Sequence, residues 1–259
     1  MFIIILGIVL MLVGGAGLTL GLVSNFGEKA AALGIFKDLG DFAPTFFIAM
    51  GVILAFVGLI MIISGIGRRT KVTTLQLVES AIMIAVGTGL SFVKFDLPFG
   101  GGVTLVSMLP LILISHRYGP GWGLFTAFIY SLIQLMFGLD NVAYATSTVM
   151  AVGVILLDYI LAYTVIGLSG MFGKSRGAVA GGIVFTFVLR FLCHYFAGAW
   201  IWREWMPEEF MGMTMTNPWI YSALYNGWYM AAELVLTMIV AMLIYKPLEK
   251  YFRGAKTAK

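Results

Sequence analysis

The chain of 259 residues is 61% hydrophobic and 11% charged, with a mean hydropathy of +1.00 and a formal net charge of +4. This composition describes a polytopic helical membrane protein in a lipid bilayer and excludes a separate soluble domain. It also gives no basis for a nucleic-acid partner, because the basic residues sit in short loops and the tail. The single cysteine, Cys193, excludes an intramolecular disulfide.

Eight apolar runs are expected to span, at about 2–23, 44–66, 75–93, 103–115, 121–138, 147–172, 178–202 and 219–245. The first two carry no ionisable residue in their cores, and the basic run at 68–71 separates them from the third. Residues 1–70 are therefore expected to form a distinct transmembrane hairpin. No basic n-region or small-residue cleavage site precedes the first run, which argues against a cleaved signal peptide. With the N-terminus inside, Arg68, Arg69, Lys71, Arg117, Lys174, Arg176 and the basic tail all fall on the inner side. That asymmetry places both termini in the cytoplasm.

In the third run Ala81, Ala85 and Gly89 recur every four residues and make a smooth face for a neighbouring helix, in the same chain or another. Glu79, near its inner end, is a capping or interfacial charge. Pro98 and the glycines at 100–102 break the chain into a loop that is either a lid or a tight connection. The fourth run is short, and Pro110 is expected to kink it or leave it only partly spanning.

The sixth run places Asp158 about half-way along an apolar stretch, beside Tyr159 and Tyr163. A carboxylate at that depth needs a partner, and Arg190 in the seventh run is the expected one. The seventh run reads RFLCHYFAGAWIW, and Arg190, His194, Gly198 and Trp202 recur every four residues as one stripe. Ionisable groups at membrane depth line a cavity or pair internally, so this stripe is the expected site of binding. In the last run Tyr221 and Asn226 lie in the outer half, with Glu233 deeper. Asn226 should face the interior, because a bare amide in lipid is costly.

Three apparent motifs carry no chemistry. GMFGKS at 170–175 has Leu168 where a phosphate-binding loop requires glycine, and it ends a membrane helix. NPWIY at 217–221 starts a helix on the outer side. Two histidines, His116 and His194, give no metal-site spacing. No cofactor is expected.

From about residue 74 onward the sequence resembles the thiamine-specific S-components of energy-coupling-factor transporters. The motifs that carry the resemblance are LPFGGGVTLVSMLPLILISHRYG, YATS at 144–147, LLDYILAYTVIGLSGMF, RFLCHYFAGAWIW and NPWIYSALYNGWYM. The resemblance implies an all-α, six-helix core over residues 71–259, preceded by the two extra helices. It also implies a site for thiamine made by Asp158, Tyr159, Arg190, His194, Trp202, Tyr221 and Asn226, with no catalytic residue. Ala81, Ala85 and Gly89 would form the face toward a coupling transmembrane subunit that works with two ABC-type ATPases in a bacterial plasma membrane. Asp158 is one methylene shorter than the glutamate of some relatives. Two competing readings are an S-component for another vitamin or a thiamine precursor, and an intramembrane enzyme using Asp158 and His194 as acid and base. A third is a scaffold whose polar residues only pair internally.

Overall fold

Caps written into the sequence set the ends of the long helices. The computed structural model describes residues 72–97 and 102–253, together with positions 8, 11, 12 and 15; the runs expected at 2–23 and 44–66 lie outside the described residues. Thr73 accepts a hydrogen bond from the Gln76 amide at 3.2 Å and opens α1 (Thr74–Ser91). The chain then makes a short antiparallel hairpin, β1 (Lys94–Asp96) with β2 (Gly102–Thr104), Lys94 opposite Thr104. Helix α2 (Leu109–Tyr118) follows, and Gly119 (φ 90°) turns the chain into α3 (Pro120–Phe137). Only glycine takes that φ without strain. Two short helices, α4 (Leu139–Ala143) and α5 (Thr148–Gly153), come next.

The helix running on from α5 changes its winding three times. Val154–Leu161 is π-helical, Ala162–Thr164 makes one α turn, and Val165–Phe172 is a 3₁₀ helix. Ser175 caps α6 (Arg176–Trp200), which gives way to a 3₁₀ turn at Trp202–Trp205 and a small hairpin, β3 (Glu209–Phe210) with β4 (Met213–Thr214). Asn217 caps α7 (Pro218–Tyr245), with Pro218 in the first turn, where its missing N–H leaves no bond unmade. The last element is α8 (Glu249–Arg253).

Among the described residues, five helices are long and apolar enough to cross a membrane: 74–91, 120–137, 150–172, 176–200 and 218–245. They match five of the expected runs to within a few residues. The expected span at 103–115 takes a different form. It enters as β2, turns through Val106 (φ 49°) and becomes helical only at Leu109. The β-branched residues Val103 and Thr104 favour the extended entry. Pro110 lies in the first turn of α2, so it starts that helix and does not kink it.

Thr70–Asp140 and Gly153–Lys259 form one compact unit, and Asn141–Val152 group with Met1–Arg69 in the other. The core of the first of these units includes Leu111, Ile112, Ala127, Tyr130, Ile166, Ile183 and Phe187. Two glycines bring α3 against the 3₁₀ segment, since a Cβ on Gly123 would collide with the Gly167 carbonyl oxygen. Ser115 seals this contact, donating to Gly167 O at 2.6 Å and accepting from Gly170 N at 2.8 Å. Small residues with a hydroxyl at the crossing are what close packing in lipid favours.

Glu79 anchors a second polar cluster, at the end of the unit where α1 begins. Arg117 grips it with two contacts, Nε to Oε2 at 2.6 Å and Nη2 to Oε1 at 2.9 Å. Tyr118 and Tyr251 add hydroxyl donors at 2.6 and 3.3 Å, and the guanidinium lies 4.2 Å from the centre of the Tyr251 ring. Glu79 is thus an interfacial charge that fixes α8 and α2 to α1. Burial, followed by repulsion from Arg117, holds the Lys174 ammonium below its usual range. Burial and the neighbouring Glu79 carboxylate push the Tyr251 phenol up.

Candidate functional site

The four-residue stripe on α6 faces two partners, the π-helical segment and α7. Asp158 projects from the π-helical turns, a winding that often marks functional positions. Its Oδ1 accepts from His194 Nδ1 at 2.9 Å, and its Oδ2 accepts from Trp202 Nε1 at 2.7 Å. Asp158 and His194 are each largely shielded, with side chains 15% and 13% exposed. In the neutral tautomer that donates from Nδ1, the other ring nitrogen is an acceptor. That atom, Nε2, is buried and has no hydrogen-bond partner among the described residues. A carboxylate with one bond per oxygen also keeps lone pairs free. Asp158 and His194 therefore offer several acceptor positions together, which suits a ligand rich in N–H donors.

Arg190 does not pair with Asp158. Its Nη1 donates to Glu233 Oε2 at 2.6 Å, with both side chains almost fully buried, and its guanidinium lies 5.1 Å from the Tyr163 ring centre. The other oxygen of Glu233 accepts from the Thr104 hydroxyl of β2, which also shares a 2.7 Å bond with Ser107. Reach and depth explain the outcome. Arg190 sits one turn below His194 on α6 and meets the longer Glu233 side chain from α7. The short Asp158 side chain is instead taken by the imidazole and the indole. Both Glu233 oxygens are bonded, which offsets part of the cost of burying the pair, while the buried Arg190 Nε has no hydrogen-bond partner among the described residues.

Asn226 faces the interior, as lipid exclusion requires, but its amide is already engaged. Nδ2 donates to His194 O at 3.2 Å and to Ser222 O at 3.1 Å, while Oδ1 accepts from the Tyr229 hydroxyl at 2.8 Å. Ser222 Oγ donates to Tyr195 O at 2.7 Å. These bonds need α7 close to α6, and Gly198 permits it, because a Cβ there would collide with Ser222 Oγ. Asn226 thus holds the backbone from which His194 projects. Tyr159 turns toward the end of α3, its hydroxyl donating to Gly138 O at 3.1 Å. Tyr221 is half-buried and stacks on Tyr225, with ring centres 5.6 Å apart. Ala81, Ala85 and Gly89 are all exposed on α1.

The structure adds residues that the sequence pattern alone did not single out. Tyr225 and Tyr229 continue from Tyr221 down α7, and Phe210 of β3 caps the series 5.3 Å from Tyr221. The Tyr229 ring lies edge-on to His194, 6.4 Å away. An aromatic ladder therefore leads from the β3–β4 hairpin to the Asp158–His194 pair. The signal was present, because Tyr221, Tyr225, Tyr229 and Glu233 recur every four residues and form a stripe like that of α6.

Comparison with known proteins gives a family. The family described as "Thiamine transporter protein (Thia_YuaJ)" matches residues 77–253. The thiamine transporter ThiT of Bacillus subtilis (strain 168) is 31% identical over 197 residues, covering 70% of this chain and 95% of that protein. The thiamine transporter ThiT of Lacticaseibacillus paracasei is 24% identical over 181 residues, covering 63% and 83%. A solved structure of ThiT from Listeria monocytogenes shares the fold, with a TM-score of 0.56 at 24% identity, over 69% of this chain and 97% of that one.

Proposed function

The chain belongs to the thiamine transporter protein family Thia_YuaJ, and from that premise we propose that it is the thiamine-binding membrane subunit, an S-component, of an energy-coupling-factor transporter. The observation that carries the reading is Asp158 held between His194 and Trp202, beside a buried His194 Nε2 with no partner among the described residues. Thiamine joins an aminopyrimidine, which donates N–H bonds, to a thiazolium with a permanent positive charge. The carboxylate and imidazole accept from the first part. The Trp202 indole and the Tyr221–Tyr225–Tyr229 ladder attract the second by about 0.5–2 kcal/mol for a cation over an aromatic face. Arg190, Tyr159 and Asn226 complete the proposed site. All three do so without touching the ligand, Arg190 through its charge and the last two through the packing of the binding residues.

A subunit of this kind catalyses no reaction and draws its energy from separate proteins. We assign Ala81, Ala85 and Gly89 on the exposed face of α1 as the contact with a coupling transmembrane subunit, which in turn meets two ATPases. Residues 71–259 are the substrate-binding domain in this reading, and residues 1–70 are an added membrane hairpin.

The decisive measurement is thermal unfolding in detergent, with and without thiamine, on protein stripped of endogenous ligand. A ligand at about 1,000 times its Kd adds about 4 kcal/mol to the native state, so a clear rise in Tm is expected. Folded protein with no rise at saturating thiamine would overturn the assignment.

The chain is a multi-pass membrane protein, and the loop charges orient it with both termini in the cytoplasm. In a Cys193→Ser background, Thr214→Cys should react with an impermeant maleimide added outside intact cells, and Lys174→Cys should react only after permeabilisation. The reverse pattern would invert the topology.

A further inference from the structure

Around the α6 stripe the described residues supply two carboxylates, Asp158 and Glu233, and one guanidinium, Arg190. Their pairing is unequal. Glu233 is 1% exposed and holds Arg190 at 2.6 Å, while Asp158 is bound only by an imidazole and an indole N–H. The charges of Arg190 and Glu233 cancel, while no lysine or arginine among the described residues pairs with Asp158. The two groups are neighbours, since the Arg190 guanidinium lies 5.1 Å from the Tyr163 ring, which in turn lies 6.5 Å from the ring of Tyr159, the residue after Asp158. Four residues of α6, about 6 Å of rise, separate Arg190 from His194.

We propose that Glu233 is a specificity-determining residue: by neutralising Arg190 it leaves Asp158 as the uncompensated charge of the site, which makes the site favour a cationic ligand over a neutral one of the same shape. Glu233 touches no ligand in this scheme and acts through Arg190. The bond from Thr104 to its second oxygen fixes the carboxylate on the guanidinium, so the cancellation does not depend on a mobile side chain. Without Glu233, a guanidinium about one helical turn from the ligand-facing imidazole would repel a thiazolium. At about 8 Å and an effective dielectric constant of about 20, one unit charge changes affinity by more than about tenfold.

The inference rests on the thiamine reading, and the test separates the two. Binding of thiamine is compared with binding of its analogue in which a neutral thiophene replaces the thiazolium ring, and the readout is the ratio of the two affinities. Glu233→Gln is expected to lower that ratio by more than about tenfold. Arg190→Met, which unmasks the Glu233 charge, is expected to raise it. The double variant Arg190→Met/Glu233→Met removes both charges and should return the ratio to the wild-type value, and Arg190→Met carries the test by itself if Glu233→Gln does not fold. A general loss of packing would weaken both ligands alike. Ratios equal to wild type in the single variants that fold would overturn the proposal while leaving the thiamine assignment intact. Wild-type protein that binds neither ligand would remove the thiamine reading itself.

Discussion

Asp158→Ala is expected to weaken thiamine binding by at least about thirtyfold. Two effects act together. The ligand loses its charged acceptor, and the Trp202 indole N–H and the His194 Nδ1–H lose the oxygens that now fix them at 2.7 and 2.9 Å. Removing one member of a buried, hydrogen-bonded charged contact costs about 2–5 kcal/mol, and 2 kcal/mol is already about thirtyfold. Arg190 keeps its own counter-charge on Glu233, so the fold is not left with an orphaned guanidinium. Isothermal titration, with unfolding temperature measured in parallel, separates the outcomes. A purely structural Asp158 would lower Tm without changing the shift produced by ligand. Trp202→Ala provides the companion test. Trp202 lies just past the end of α6, so its loss should reduce affinity and leave the unliganded Tm nearly unchanged.

Ala85→Trp is expected to abolish uptake while thiamine binding stays within a few-fold of wild type. Ala85 is exposed on α1, one turn from Ala81 and one from Gly89, so a large ring there meets no neighbour in the described fold. It does fill the shallow face against which another helix would lie. Uptake of labelled thiamine by cells expressing the complete transporter is compared with titration of the purified subunit. If binding and uptake fell in parallel, the small-residue face would serve packing within the chain and not docking.

The sequence made the helices legible because lipid imposes a strong rule: an apolar run of about 20 residues closes its own hydrogen bonds. Thr73, Ser175 and Asn217, standing before the third, seventh and last runs, each proved to be a helix cap. The fourth run was less legible because its apolar residues include a β-branched entry. Hydropathy alone does not separate a buried strand from a helix start. At the site, four-residue spacing correctly aligned His194 and Trp202, and Asp158 does meet that stripe. The partner of Arg190 was not legible. Two carboxylates on different helices competed for it, and the choice depended on how α7 sits against α6. That distance is set by Gly198, Ser222 and Asn226 and cannot be counted along one helix. Tyr225 and Tyr229 did not stand out because an aromatic stripe in an apolar run usually means core, and Glu233 was seen but not matched to Arg190.

The π-helical turns that carry Asp158 also constrain how this gene can change length. A π-helical stretch accommodates residues that an α-helix of the same height does not hold. Losing one codon between Val154 and Leu161 would let the segment rewind as an ordinary α-helix, still apolar and still long enough to span. The wide turns would give up their extra residue, so the flanking helices would stay near their present register while the side chains inside the segment change direction. Asp158, inside the segment, would lose the direction that places its carboxylate on His194 and Trp202. Single-residue indels here should therefore be eliminated as strongly as substitutions of Asp158 itself, although such indels would look harmless on a hydropathy plot.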